Sequence, residues 1–201
     1  MKFTTSRSTL LKPIQAVIGV VERRQTMPIL ANVLLVVKGQ ELSVTGTDLE
    51  VELVARVPLD KSDSGGEVTV PGRKLLDICR ALPDDASVQV QLDGDRLVIK
   101  SGRSRFVLST LPAAEFPVVD DVEPLQSLQL SQVDLRTLLE KTHFAMAQQD
   151  VRYYLNGLLL ETGKKMVRAV ATDGHRLALC ELATEGAKGN GKSAKAEGHQ
   201  V

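Results

Sequence analysis

The chain has 201 residues, and its 25 Lys+Arg balance 25 Asp+Glu to a formal charge of zero, so any basic surface must be segregated from an acidic one. Apolar residues make up 43%, enough for a real core, but aromatics are only 3% and Trp is absent, so Leu and Val must supply the packing. Two cysteines, Cys79 and Cys180, exclude a disulfide framework, and no apolar run approaches the roughly 20 residues of a membrane span. With no signal-peptide core after Met1-Lys2-Phe3-Thr4, these features predict a soluble cytoplasmic protein with no membrane partner.

In chain order, Met1–Thr5 reads as a short strand and Ser6 as the N-cap of a helix from Arg7 to about Val21. Leu10, Leu11, Ile14, Val17, Ile18 and Val21 fall on one face of it, and Pro13 should kink it or mark a weak point. After the loop Arg23–Pro28 come strands at Ile29–Val37, Glu41–Thr45 and Leu49–Val57, then a polar loop at Asp60–Gly66. A strand at Glu67–Val70 leads into a second helix, Arg73–Leu82, stopped by Pro83. Strands at Ser87–Leu92 and Arg96–Lys100 flank the turn Asp93-Gly94-Asp95, and another follows at Arg105–Leu111. Pro112–Pro124, rich in proline and acids, reads as an interdomain connection.

The pattern then restarts. A strand at Ser127–Leu130 is followed by Ser131 as N-cap and a helix to about Ala147. A polar loop, Gln148–Arg152, precedes strands at Tyr154–Leu160, Met166–Ala171 and Arg176–Leu182. An offset of 125 aligns the halves without a gap: Ser6 with Ser131, Leu10 with Leu135, Leu30 with Leu155, and Thr47-Asp48 with Thr172-Asp173. A constant register over such a length predicts a repeated domain. The class is α+β, with helices on one face of antiparallel sheets. Residues 1–125 form the first domain and 126–201 a second, truncated before its second helix, beyond the Gly/Lys/Ala-rich stretch Glu185–Gly198.

The motifs resemble one family, the bacterial DNA polymerase III beta subunit or sliding clamp. The residues that carry the resemblance are Met27-Pro28-Ile29-Leu30-Ala31-Asn32, Thr45-Gly46-Thr47-Asp48-Leu49-Glu50, Ser101–Phe106, Thr110–Pro117, Gln149-Asp150-Val151-Arg152-Tyr153-Tyr154-Leu155-Asn156-Gly157 and Ala171-Thr172-Asp173-Gly174-His175-Arg176-Leu177. The resemblance implies the DNA-clamp fold, with three such domains per chain, of which the third is absent here. It also implies a head-to-tail homodimer encircling duplex DNA, with helices lining the hole. DNA polymerase and clamp-loader proteins would dock on the outside through short peptides. It implies a non-enzymatic accessory subunit of the polymerase, a nucleotidyltransferase holoenzyme, needing no cofactor.

Particular residues follow from it. The polar helix faces with Lys12, Arg73 and Arg80 suit loose, sequence-independent attraction to phosphates, although taken alone they are also ordinary solvated faces. Arg24 and Gln149, in equivalent loops, and Tyr153 are carried over as DNA contacts; Tyr154, which opens an apolar run, reads as core. Leu155, Thr172, Gly174, His175, Arg176 and Leu177 are carried over as part of the peptide groove. Lys74, Arg103, Arg105, Phe106 and Leu108 mark the dimer edge, with Phe106 expected to be exposed on an edge strand. Two alternatives compete: a small metal-dependent hydrolase centred on Asp173 and His175, and an interaction scaffold without a DNA role. The first has two candidate ligands where a zinc site needs three or four, and the shared Thr-Asp of the two copies reads as a structural turn.

Overall fold

The computed structural model describes residues 1–21, 27–117, 128–163 and 165–183. It divides into two compact units, Met1–Asp121 and Val122–Val201. No helix among the described residues is long and apolar enough to cross a membrane.

The first unit opens with β1 (Lys2–Ser6) and α1 (Arg7–Val17). Ser6 caps α1 as its hydroxyl accepts the Thr9 amide at 3.1 Å, satisfying one of the helix's orphan donors. The helix runs through the buried Pro13 and tightens into a 3-10 turn at Ile18–Val20, ending earlier as an α-helix than its periodicity predicts. Pro28 then opens a second 3-10 turn, Pro28–Ala31, where an extended strand is expected from the apolar run. Proline's fixed φ and missing N–H suit the start of such a turn, so β2 begins only at Asn32 (Asn32–Lys38). β3 (Glu41–Thr47), β4 (Glu52–Pro58), β5 (Lys61–Ser64), β6 (Gly66–Pro71) and α2 (Gly72–Ala81) follow, then β7 (Ser87–Asp93), β8 (Arg96–Ser101) and β9 (Ser104–Ser109).

These strands form two antiparallel sheets in the orders β5-β1-β7-β8-β9 and β4-β3-β2-β6. β5 lies in the stretch whose polarity predicts a loop. It pairs with β1 through Phe3↔Ser62, and its charged, exposed side chains suit a protected sheet edge. Lys2 grips Asp63 at 3.2 Å, and this contact, more than the neighbouring Lys61, holds the Asp63 carboxyl below the ordinary carboxylate range.

The main core joins Leu10, Ile14 and Val17 of α1, Leu75, Leu76 and Cys79 of α2, and Val33, Leu35 and Val37 of β2. Burial pushes the Cys79 thiol up to about 11, so it stays protonated and inert at neutral pH. α2 comes so close to β2 that a Cβ on Gly72 would lie 2.9 Å from Val33 Cγ1. The opposite face of β2 is buried as well: Leu34 packs with Ile29, Leu30 and Phe116 in a second small core. Phe116 follows a 3-10 turn at Ala113–Glu115, so the near end of the proline-rich connection is pinned to this unit and is not a free linker.

In the second unit α3 (Gln132–Thr142) is capped by Ser131, whose hydroxyl accepts the Asp134 amide at 3.0 Å. A 3-10 turn at His143–Ala145 follows, another at Tyr153–Asn156, then β10 (Leu159–Thr162), β11 (Met166–Thr172) and β12 (Leu177–Ala183) in a three-stranded antiparallel sheet of that order. The tyrosine-led run again forms a 3-10 turn where a strand is expected. Residues 128–130 form no strand, and Ser127 lies outside the described residues. Every one of these elements except β10 begins and ends 125 positions after its partner in the first unit: α1 and α3, both pairs of 3-10 turns, β3 and β11, β4 and β12. The repeat read from register is therefore a repeat of backbone geometry. Arg168 spans all three strands, reaching Glu161 at 3.1 Å and Glu181 at 2.7 Å, which fixes the pairing against a slip. The core is smaller, built on Leu138, Val167 and Ala169. Leu159, equivalent to the 7% exposed Leu34, is 63% exposed.

Candidate functional site

The turn between β11 and β12 is built by its own side chains. The Thr172 hydroxyl accepts the Gly174 amide at 3.1 Å and donates to the Arg176 carbonyl at 2.7 Å. Asp173 Oδ1 accepts the amides of His175 and Arg176, each at 2.9 Å, while its Oδ2 meets Arg176 Nε at 2.9 Å. The first unit repeats this pattern. Thr47 Oγ1 accepts the Leu49 amide at 3.0 Å, and Asp48 Oδ1 accepts those of Glu50 and Val51 at 3.0 and 2.7 Å. Gly174 and Leu49 hold the same left-handed φ, +89° and +81°. Asp173 is thus scaffold, as the shared Thr-Asp implies. The two backbone amides, with Arg176 behind them, hold its carboxyl below the usual range. A carboxylate so engaged is a poor metal ligand or general base, and among the described residues no group of three His, Cys, Asp or Glu is placed to hold a metal. The hydrolase alternative loses its centre.

Beside the turn lies the loop from Met146 to Arg152. Its Asp150 accepts the Arg152 amide at 2.8 Å and takes the Arg152 guanidinium through both oxygens, at 3.0 and 2.9 Å. The Asn156 side chain brackets the same residue: Asp150 N–H donates to its Oδ1 at 2.9 Å, and its Nδ2 donates to the Asp150 carbonyl at 3.0 Å. Gln149, just before, sits at φ +61°. Loop and turn enclose a cleft of about 530 Å³ lined by Met146, Ala147, Gln148, Gln149, Asp150, Arg152, Asp173, His175 and Arg176. Arg176 also lies over the Phe144 ring, 5.9 Å from its centroid. Tyr153 and Tyr154 meet edge to face at 6.2 Å and are both exposed, so Tyr154 is not the core residue its apolar run suggests.

Of the sequence-predicted groove residues, His175 and Arg176 line this cleft together with Gln149. Leu155, Thr172, Gly174 and Leu177 do not. Thr172 is engaged within the turn, Leu177 is exposed on β12, and Leu155 is half-buried with its carbonyl accepting the Ala147 amide. Sequence reasoning missed Asp150, Arg152 and Asn156. The signal available was the Asp-x-Arg spacing beside an Asn six positions after the Asp.

The Arg152 guanidinium and amide hold the Asp150 carboxyl down to about 2. A depressed carboxylate stabilises its loop above the unfolded value and loses that contribution as pH falls through the folded one. The Asp150–Arg152 clasp should persist at pH 5 and open between the ordinary carboxylate value of 3.8 and about 2, seen as an NMR titration of the Asp150 carboxyl carbon with a midpoint near the lower end. A midpoint at the ordinary value would mean the clasp does not form.

In the first unit Lys12 on α1, and Lys74 and Arg80 on α2, are exposed as expected. Arg73 differs. Its Nη2 donates to the Val21 carbonyl at 2.7 Å and its Nε is buried without a partner among the described residues, so it is an internal tie more than a surface cation. Arg24 lies outside the described residues. On β9, the outer strand of its sheet, Arg105 faces out and Arg103 is exposed in the preceding turn. Phe106 and Leu108 face in. Opposite Ile99 and Leu97 they pack on the main core, and this corrects the expectation of an exposed Phe106; Val107 is the apolar side chain facing out.

A family model described as the DNA polymerase III beta subunit, N-terminal domain, matches residues 1–120, and one described as its central domain matches residues 129–194. The beta sliding clamp of Pseudomonas putida is 61% identical over 182 residues, 90% of this chain and 50% of that protein; that of Escherichia coli K12 is 56% identical over 182 residues, with the same coverage. A crystal structure of the DNA polymerase III subunit beta from Pseudomonas aeruginosa superposes with a TM-score of 0.89 at 56% identity, over 93% of this chain and 51% of that one. A second, of the same organism's sliding clamp bound to griselimycin, also gives 0.89, at 57% identity over 92% and 50%. The chain spans about half the length of the curated relatives it matches.

Proposed function

The chain belongs to the DNA polymerase III beta subunit family, and from that membership we propose that it is part of a sliding clamp, a non-catalytic factor that tethers the replicative polymerase to duplex DNA. Residues 1–125 would be its first clamp domain and 126–201 belong to its second. It would work in the cytoplasm, as an accessory subunit of a nucleotidyltransferase holoenzyme, in a head-to-tail homodimer. The single observation that supports this reading best is the repeat at an offset of 125, in which helix, 3-10 turns, strands and the Thr-Asp turn coincide. A ring built from repeated units calls for such a sequence.

Within this reading, Lys12, Arg80, Arg73, Arg24, Gln149 and Tyr153 serve duplex DNA. Arg73 does so by tying α2 to the Val21 carbonyl, next to the segment that carries Arg24. Leu155, Thr172, Gly174, His175, Arg176 and Leu177 would belong to the surface on which polymerase and clamp-loader peptides dock, and of these His175 and Arg176 also line the cleft beside Gln149. The complex of the Pseudomonas aeruginosa sliding clamp with griselimycin supports a ligand-binding site in this family. Lys74, Arg103 and Arg105, with the half-buried Phe106 and buried Leu108 supporting the strand from within, would form the dimer edge.

Phosphate attraction without base reading has a signature. Binding to short duplexes should be independent of their sequence. Lys12→Gln and Arg80→Gln should each lower the slope of log affinity against log salt by about one. Fluorescence anisotropy across a salt series measures both. A preference for one duplex sequence would contradict the clamp reading, and unchanged slopes or no binding would support the scaffold alternative.

A further inference from the structure

The loop that carries Gln149 is fastened by a side chain whose equivalent in the first unit is an alanine. Asn156 closes two hydrogen bonds on the Asp150 backbone, 2.9 and 3.0 Å, and 125 positions earlier the chain has Ala31, which offers neither donor nor acceptor. The loop is tied at both flanks as well, by Ala147 N–H to the Leu155 carbonyl and Leu155 N–H to the Arg152 carbonyl, each at 2.9 Å. Between these ties Gln149 is held at φ +61°, a region that residues other than glycine seldom occupy. Such a conformation persists when its surroundings over-determine it, and clusters where a side chain must be aimed. Asn156 is exposed and packs into no core, so its two bonds serve the loop and not the fold.

We propose that Asn156 is a positioning residue: by bracketing the Asp150 backbone it fixes the conformation of Gln149 and aims that amide at the DNA. The inference rests on the sliding-clamp reading of Gln149. Its test is a double-mutant cycle in the 201-residue chain, with a fluorescent primed duplex at low salt as probe. Asn156→Ala and Gln149→Ala should each weaken binding about fivefold, the worth of one hydrogen bond. The double variant should be no weaker than either. Hydrogen exchange at the Asp150 amide should quicken in Asn156→Ala with the thermal midpoint unchanged. Wild-type affinity in Asn156→Ala, or losses that multiply in the double variant, would overturn the proposal while leaving the clamp reading intact. A wild-type chain that does not bind the duplex would remove the DNA role of Gln149 and, with it, the proposal.

Discussion

Leu10→Ala lowers the stability of the first unit by about 2–5 kcal/mol, whereas Leu135→Ala, the same change 125 positions on, costs about 1 kcal/mol or less. The two leucines share one place in the repeat and differ in what covers them. Leu10 is 0% exposed, held between α1 and the main core with Ile14, Val17 and Leu75, while Leu135 is 41% exposed on α3. Truncating the first removes buried methyl groups and leaves a cavity that close-packed neighbours fill only in part. Truncating the second removes side chain that water already reaches. Both tyrosines lie in the second unit and Trp is absent, so circular dichroism in urea reads the first unit better than intrinsic fluorescence. Equal losses at the two positions would mean that the repeats do not differ in packing as described.

Exchanging the residues at the tip of the Thr-Asp turn should have opposite effects in the two copies. Gly174→Leu puts a side chain at φ +89°, where an L-residue's Cβ crowds the following carbonyl, and with the loss of glycine's freedom in the unfolded chain offsetting roughly half of that cost it should destabilise by about 0.5–1 kcal/mol. The new Cβ would also lie 3.5 Å from the Arg152 guanidinium, at the edge of the cleft, so peptide docking should weaken as well. Leu49→Gly releases the same strain at φ +81°, and Leu49 is 55% exposed, so little burial is lost. Glycine's greater freedom in the unfolded chain offsets roughly half of the gain, leaving a net stabilisation of about 0.5–1 kcal/mol. Thermal unfolding of the two single variants checks the signs. Neutral effects at both sites would deny that the turn demands a left-handed residue.

Much of the fold was legible because the signals were local. Ser6 and Ser131 announce their helices, the apolar spacing after them gives the buried faces, and the fixed offset carries one copy's reading onto the other. Pro28–Ala31 and Tyr153–Asn156 read as strand in the sequence because an apolar run looks the same in a 3-10 turn as in a buried strand. β5 was invisible because Lys61-Ser62-Asp63-Ser64 has the polarity of a loop, and its strand character comes from a partner 59 residues earlier, as in Phe3↔Ser62. On β9 the alternation places Arg105 and Val107 on the outer face and Phe106 and Leu108 on the inner one, which the flanking arginines alone do not reveal. Arg73 could not be read as internal, since its partner is a backbone carbonyl 52 positions away. At the site, the scaffold role of Asp173 followed from comparing the copies, whereas the Asp150–Arg152–Asn156 assembly depends on how a loop folds back on itself.

The clamp reading makes a topological claim, and topology can be measured. The protein that carries this chain, loaded by a clamp loader with ATP onto a singly nicked circular duplex, should stay bound through gel filtration in high salt. Cutting that circle once with a restriction enzyme should release it, because a ring held by topology slides off free ends. Equal retention on circular and linear DNA, or loss from both at the same salt concentration, would contradict the account.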